Sequence, residues 1–154
     1  MKYFTIDELC KSATAQRLGI DNTPTKEVVQ CLTDLIENVL DPLRKRWGRA
    51  IIVTSGYRCT RLNSVVGGAV NSGHRFGHAA DIRSVSDSRA DNMRLLRCLI
   101  ESGLPFDQII CEYPDAQGRP DWIHVSFRKG NNRRQKLTAR RINGSTCYSV
   151  GIKV

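Results

Sequence analysis

Two of the chain's three histidines and a following aspartate fall inside Ser72-Gly73-His74-Arg75-Phe76-Gly77-His78-Ala79-Ala80-Asp81. The third histidine, His124, lies downstream in Asp121-Trp122-Ile123-His124. Imidazole nitrogen and carboxylate oxygen suit Zn²⁺, and a catalytic zinc keeps three protein ligands and one position open for water. His74, Asp81 and His124 are the expected ligands. His78 is four residues from His74, a metal-pair spacing only on a helix, and the glycines and strand pattern here argue against one. His78 is therefore expected on the cleft wall. Asp121 stands three residues before His124, which on a regular strand would turn it to the opposite face. It follows Pro120, so the strand is expected to start just after it, leaving the carboxylate free to reach the metal and act as general base. Glu112, on the partner strand, is the rival base.

Ordered elements must bring these groups together. Thr5-Ile6-Asp7-Glu8 reads as a capping box that opens a short helix, with a loop over Gln16–Asn22. Thr23-Pro24 opens a second helix, and Val28, Val29, Leu32, Leu35, Ile36, Val39, Leu40 and Leu43 recur at helical spacing as far as about Trp47. Ala50–Thr54 reads as a buried strand and Thr60–Val66 as a short helix. His78–Arg83 alternates as a second strand with Ala79 and Asp81 on one face. A helix from Ser86 or Asp87 to Gly103 follows. Strands over Phe106–Tyr113 and Trp122–Phe127 flank a turn-rich connection, and Thr146–Val154 offers a terminal edge strand. Helices first, then strands with one inserted helix, argue for an α+β fold. Its sheet is small, largely antiparallel and packed against the N-terminal helices, with the zinc cleft on one face.

The 154 residues suit one domain, 1–154, with a core over 25–128 and a basic extension over 129–154. A net charge of +9 favours an anionic partner. Few aromatics are interleaved with the basic run, so nucleic-acid binding has little support beyond charge. The six cysteines form no C-x-x-C pair and read as reduced structural thiols. No apolar run is long enough for a membrane span, and the opening residues turn acidic too soon for a signal peptide. The expectation is a monomer made in the cytoplasm.

At the residues quoted above the sequence resembles the M15 zinc peptidases, more narrowly the M15A-like group. That group includes D-Ala-D-Ala carboxypeptidases, D,D-dipeptidases and phage L-alanoyl-D-glutamate endopeptidases. Ser72, His74, Gly77, Ala79 and Asp81 stand in register with the family's Ser-x-His-x-x-Gly-x-Ala-x-Asp, and the acidic residue before Trp-x-His is matched by Asp121-Trp122-Ile123-His124. Ser55-Gly56-Tyr57-Arg58 looks like the family's Ser-Gly-Tyr-Arg. The resemblance implies His74, Asp81 and His124 as zinc ligands and Asp121 as base. It also implies that Arg58 polarises the scissile carbonyl, and that Ser72, His78, Tyr57 and Trp122 contact substrate or support the ligands. The implied activity is hydrolysis of peptidoglycan stem peptides at a bond involving a D-amino acid, as in a phage or prophage endolysin that acts on the cell wall after release or membrane breach. The alternatives are a D-Ala-D-Ala carboxypeptidase and a non-catalytic, zinc-stabilised wall-binding module. The basic tail could hold the domain on an anionic envelope polymer.

Overall fold

Helices come first in the chain, and polar side chains fix where they start. The computed structural model describes all residues, 1–154. In α1 (Ile6–Cys10) the Thr5 hydroxyl accepts from the Glu8 amide at 3.1 Å. Ser12 does the same for α2 (Ala13–Leu18), and Gly19, at φ +65°, ends it. Helix α2 occupies much of the segment expected to be a loop from Gln16. It buries only Ala15, so it leaves no apolar period to detect.

The long helical run starts at Lys26, because Thr25 caps it while Thr23 bonds to Asp21. It ends at Trp47 as expected. Between α3 (Lys26–Leu35) and α4 (Asp41–Trp47) lies one π turn, Ile36–Leu40. There the Asp41 amide donates to Ile36 O, five residues back. Pro42 follows immediately, and a proline inside a helix has no N–H to give and crowds the carbonyl four residues before it. Val28, Leu32, Leu35, Ile36, Val39, Leu40 and Leu43 form the buried stripe.

Helix α5 (Thr60–Val65) and a 3-10 turn, Gly73–Phe76, precede strand β2. Helix α6 (Arg89–Glu101) then covers the sheet through Met93, Leu95, Leu96 and Leu99. The six strands are β1 (Ile51–Ser55), β2 (Ala79–Ser84), β3 (Gln108–Glu112), β4 (Trp122–Ser126), β5 (Gln135–Ile142) and β6 (Ser145–Val150). Their order is β1-β2-β4-β3-β5-β6. Only β3 and β5 pair in parallel, so the fold is α+β with a largely antiparallel sheet. Residues 128–141, read from sequence only as a basic run, contain most of β5.

Side-chain alternation then sorts the sheet into two faces. Ala80, Ile82, Ile109, Cys111, Ile123 and Val125 enter the helix-covered core. Asp81 pairs with His124, and His124 with Ile110, which places these three on the opposite face. No helix is long and apolar enough to cross a membrane.

Gly77 closes the 3-10 turn at φ +78°, and a Cβ there would stand 2.8 Å from Val28 O. Gly77→Ala is expected to cost roughly 2–4 kcal/mol, from the left-handed backbone together with crowding. Thermal melting checks this, and an unchanged midpoint would contradict it.

Candidate metal centre

Three elements aim ligand atoms at one point. His74 comes from the 3-10 turn, Asp81 from β2 and His124 from β4. One ligand atom from each lies within 4.8 Å of the others. His74 Nε2 is 3.3 Å and His124 Nδ1 is 3.2 Å from Asp81 Oδ1. Ligands at the ~2.0–2.1 Å zinc bond length, set at tetrahedral angles, stand about 3.3 Å apart. The imidazole rings meet edge to face at 5.1 Å.

The proton placement also fits a cation. His74 Nδ1 lies 2.7 Å from Gly56 O. A carbonyl only accepts, so Nδ1 carries the proton and neutral His74 turns a bare Nε2 lone pair towards Asp81. Two acceptors at 3.3 Å repel unless a positive charge lies between them. Gly56 is itself held close to α1, where an added Cβ would overlap the Leu9 carbonyl. With no ion bound, protonated imidazoles take its place: burial acts to raise the Asp81 carboxyl, but the charges and hydrogen bonds of His74 and His124 hold it well below the usual carboxylate range.

Around this centre lies a cleft of about 660 Å³ lined by Arg58, Ser72, Glu112, Tyr113, Trp122 and Tyr148, among others. Arg58 is anchored through its amide to His74 O at 3.0 Å, and its guanidinium reaches Ser55 and Ser72 at 3.4 Å each. No carboxylate pairs with it, and its buried Nε has no partner. Burial lowers its pKa and Asp81 partly restores it. Ser72 Oγ also accepts from the His74 amide. A second cavity, about 380 Å³, holds His78, Phe76, Asp107, Arg128 and Arg133. Burial, with Arg128 nearby, pushes the His78 imidazole down. The two cavities share Asn71, Gly73, Gln108 and His124, so they adjoin at the His124 side of the centre.

Two residues singled out from sequence stand elsewhere. Tyr57 is buried in the main core cluster, and its amide donates to Leu9 O. The Asp121 side chain is 51% exposed and lies 3.9 Å from Arg89 of α6, on the helix side of the sheet. Its backbone carbonyl accepts from Asn92 of the same helix. The carboxylate on the ligand face is Glu112, buried at 8% exposure. It pairs with Trp122 in the register, one diagonal step from His124. Diagonal neighbours stand roughly 7–8 Å apart at the backbone, and Glu112 lines the same cleft as the three ligands. Burial, with the charge of Asp81 added and that of His124 opposing, pushes its pKa up to about 7.

A pH dependence follows for the metal-free chain. Between 4.5 and about 7 the folded state holds a proton at Glu112 that the unfolded chain releases. Stability is therefore expected to fall as pH rises through that window, on the order of 3 kcal/mol. Denaturant melts with chelator present should show this slope, and Glu112→Gln should flatten it. Parallel slopes would contradict the assignment.

The family model described as Peptidase M15 matches residues 2–126. The chain belongs to the peptidase M15 family. As an M15 member it is a metal-dependent peptidase acting on a peptide substrate, and His74, Asp81 and His124 form the candidate ion site. No curated protein matches the chain. The family match stops at Ser126, so β5 and β6 lie beyond it.

Proposed function

We propose that this M15 peptidase is a zinc-dependent endopeptidase that cleaves peptidoglycan stem peptides at a bond involving a D-amino acid. The single observation that carries the endopeptidase reading is a second cavity, about 380 Å³, that adjoins the ligand cleft at His124 and offers room for chain beyond the ion site. A carboxypeptidase needs a blocked end, and a cleft with room beyond the ion accepts chain on either side of the scissile bond. The stem-peptide substrate rests on the resemblance of the Ser-Gly-Tyr-Arg, Ser-x-His and Trp-x-His segments. A role in cell lysis, as a phage or prophage endolysin, agrees with a net charge of +9, which draws the domain to an anionic wall.

Two imidazoles and one carboxylate are a catalytic zinc set. Bound there, zinc supplies Lewis acidity for the scissile carbonyl and the attacking water. Glu112 takes the proton of that water and delivers it to the leaving nitrogen. Arg58 donates to the carbonyl oxygen as its negative charge develops, and its fixed fork and permanent charge suit that task. Ser72 holds the guanidinium. Trp122, whose ring centroid lies 5.3 Å from that of Tyr113 with the planes inclined at 54°, offers an apolar surface to the peptide. A purely wall-binding module would have no use for an unpaired arginine and a buried carboxylate in the same cleft.

The test is mass spectrometry of muropeptides after digestion of purified peptidoglycan by the zinc-loaded chain. Scission inside the stem, lost with chelator and restored by zinc, is expected. Release of terminal D-alanine alone would make it a carboxypeptidase. No cleavage by a zinc-loaded, folded chain would overturn the enzyme reading for this substrate.

A further inference from the structure

The segment beyond the family match is built into the cleft. Leu137 and Arg141 of β5 and Thr146 and Tyr148 of β6 line the same groove as His74, Asp81 and His124. The sheet register explains this. Ile110 pairs with His124 on one side and Leu137 on the other, while Glu112 pairs with Trp122 and with Ala139, opposite Tyr148. The metal face therefore continues without a break onto the hairpin. Leu137 stands two strand spacings from His124, roughly 10 Å.

The hairpin is also fastened to the site. The Tyr113 amide donates to Ala139 O at 2.8 Å, and its hydroxyl lies 2.6 Å from Thr146 Oγ1. Tyr113 adopts φ +50°, an uncommon conformation for a non-glycine residue, at the end of β3. This turns its ring between Trp122 and Arg141, whose guanidinium carbon lies 5.3 Å from the ring centroid. The ion pairs that arginines make in this chain use Arg49, Arg83, Arg89, Arg94, Arg119 and Arg133, and Arg141 is in none of them. A guanidinium stacked on an aromatic face keeps its donor edges free for a planar anion.

We propose that the β5–β6 hairpin is the outer wall of the substrate cleft and that Arg141 binds a free carboxylate of the peptide. This deepens the stem-peptide reading and rests on it for the identity of the peptide. The carboxylate sits on the hairpin side of the cleft, where Arg141 stands two residues along β5 from Ala139, the partner of Glu112. It is either an acidic side chain or the chain terminus, two sources with one chemistry.

The probes are L-Ala-D-Glu-L-Lys-D-Ala, the same peptide with its glutamate carboxylate converted to the carboxamide, and the same peptide with an amidated terminus. Binding to the zinc-loaded full chain is read by calorimetry in the Glu112→Gln background, where turnover is slow. KM and kcat are read in the otherwise wild-type chain. The parent peptide is expected to bind about tenfold tighter than one of the two amides, and the weaker amide identifies the source. Arg141→Gln should erase that preference, raise KM about tenfold for the parent and for the amide that still carries the recognised carboxylate, and leave kcat and the melting midpoint in place. Arg141→Lys should restore part of it. Equal binding of all three peptides, or a preference that survives Arg141→Gln, overturns the proposal. Failure of the chain to cut peptidoglycan while the Arg141-dependent preference stands would overturn the proposed substrate instead.

Discussion

Asp81→Ala is expected to remove the bound ion and peptide hydrolysis together. Asp81 is the common partner of both imidazoles, at 3.3 Å from His74 Nε2 and 3.2 Å from His124 Nδ1. Its side chain is only 14% exposed, so little water can replace the lost carboxylate. Lewis-acid stabilisation contributes several kcal/mol of transition-state energy. Since ~1.4 kcal/mol is a factor of ten, a fall of 10³-fold or more in kcat/KM is expected. Elemental analysis after dialysis should find the ion gone. Asp81→Asn keeps the shape without the charge and should behave in the same direction. Full occupancy with wild-type turnover in either variant would refute the assigned ligand set.

The second large effect separates two carboxylates. Glu112→Gln is expected to lower kcat by roughly 10²–10⁴-fold, the usual worth of a positioned general base, with the ion retained. Asp121→Asn is expected to change kcat less than about threefold, because a half-exposed group beside Arg89 sits outside the groove. Steady-state kinetics on both variants, with ion content measured alongside, decides between them. A collapse in Asp121→Asn with Glu112→Gln near wild type would return the base to the position that the resemblance implied.

That pair shows how far the sequence carries. Parity along a strand already places residues three apart on opposite faces, and Asp121 and His124 obey it. Pro120 gave reason to expect an exception, and β4 does begin just after Asp121, at Trp122. What decides Asp121 is α6, whose Asn92 and Arg89 take its backbone carbonyl and lie beside its side chain. Those contacts join residues about thirty positions apart, and no local pattern encodes them. Glu112 was visible as a rival only because β3 was expected to lie beside β4. Its burial and its diagonal to His124 come from the register.

The hairpin makes the same point from the other direction. Residues 128–141 carry a dense run of Lys and Arg, which hides the period of β5 under charge. In the sheet the exposed members of that strand point to solvent while Thr138 and Ala139 are buried. The parallel pairing with β3 is a long-range contact with no turn signal to announce it.

By itself, the sequence determined the α+β order of elements, the long helix ending at Trp47, and the three donors on a loop and two strands. It could do so because helical period, strand alternation and ligand chemistry are local properties of residue type and spacing. Only the tertiary structure decided which carboxylate shares the ligand face, that Tyr57 is core, and that residues of the C-terminal hairpin line the same cleft as the ligands. Each of those depends on strand register or on packing between distant segments, where a one-residue slip would invert every face.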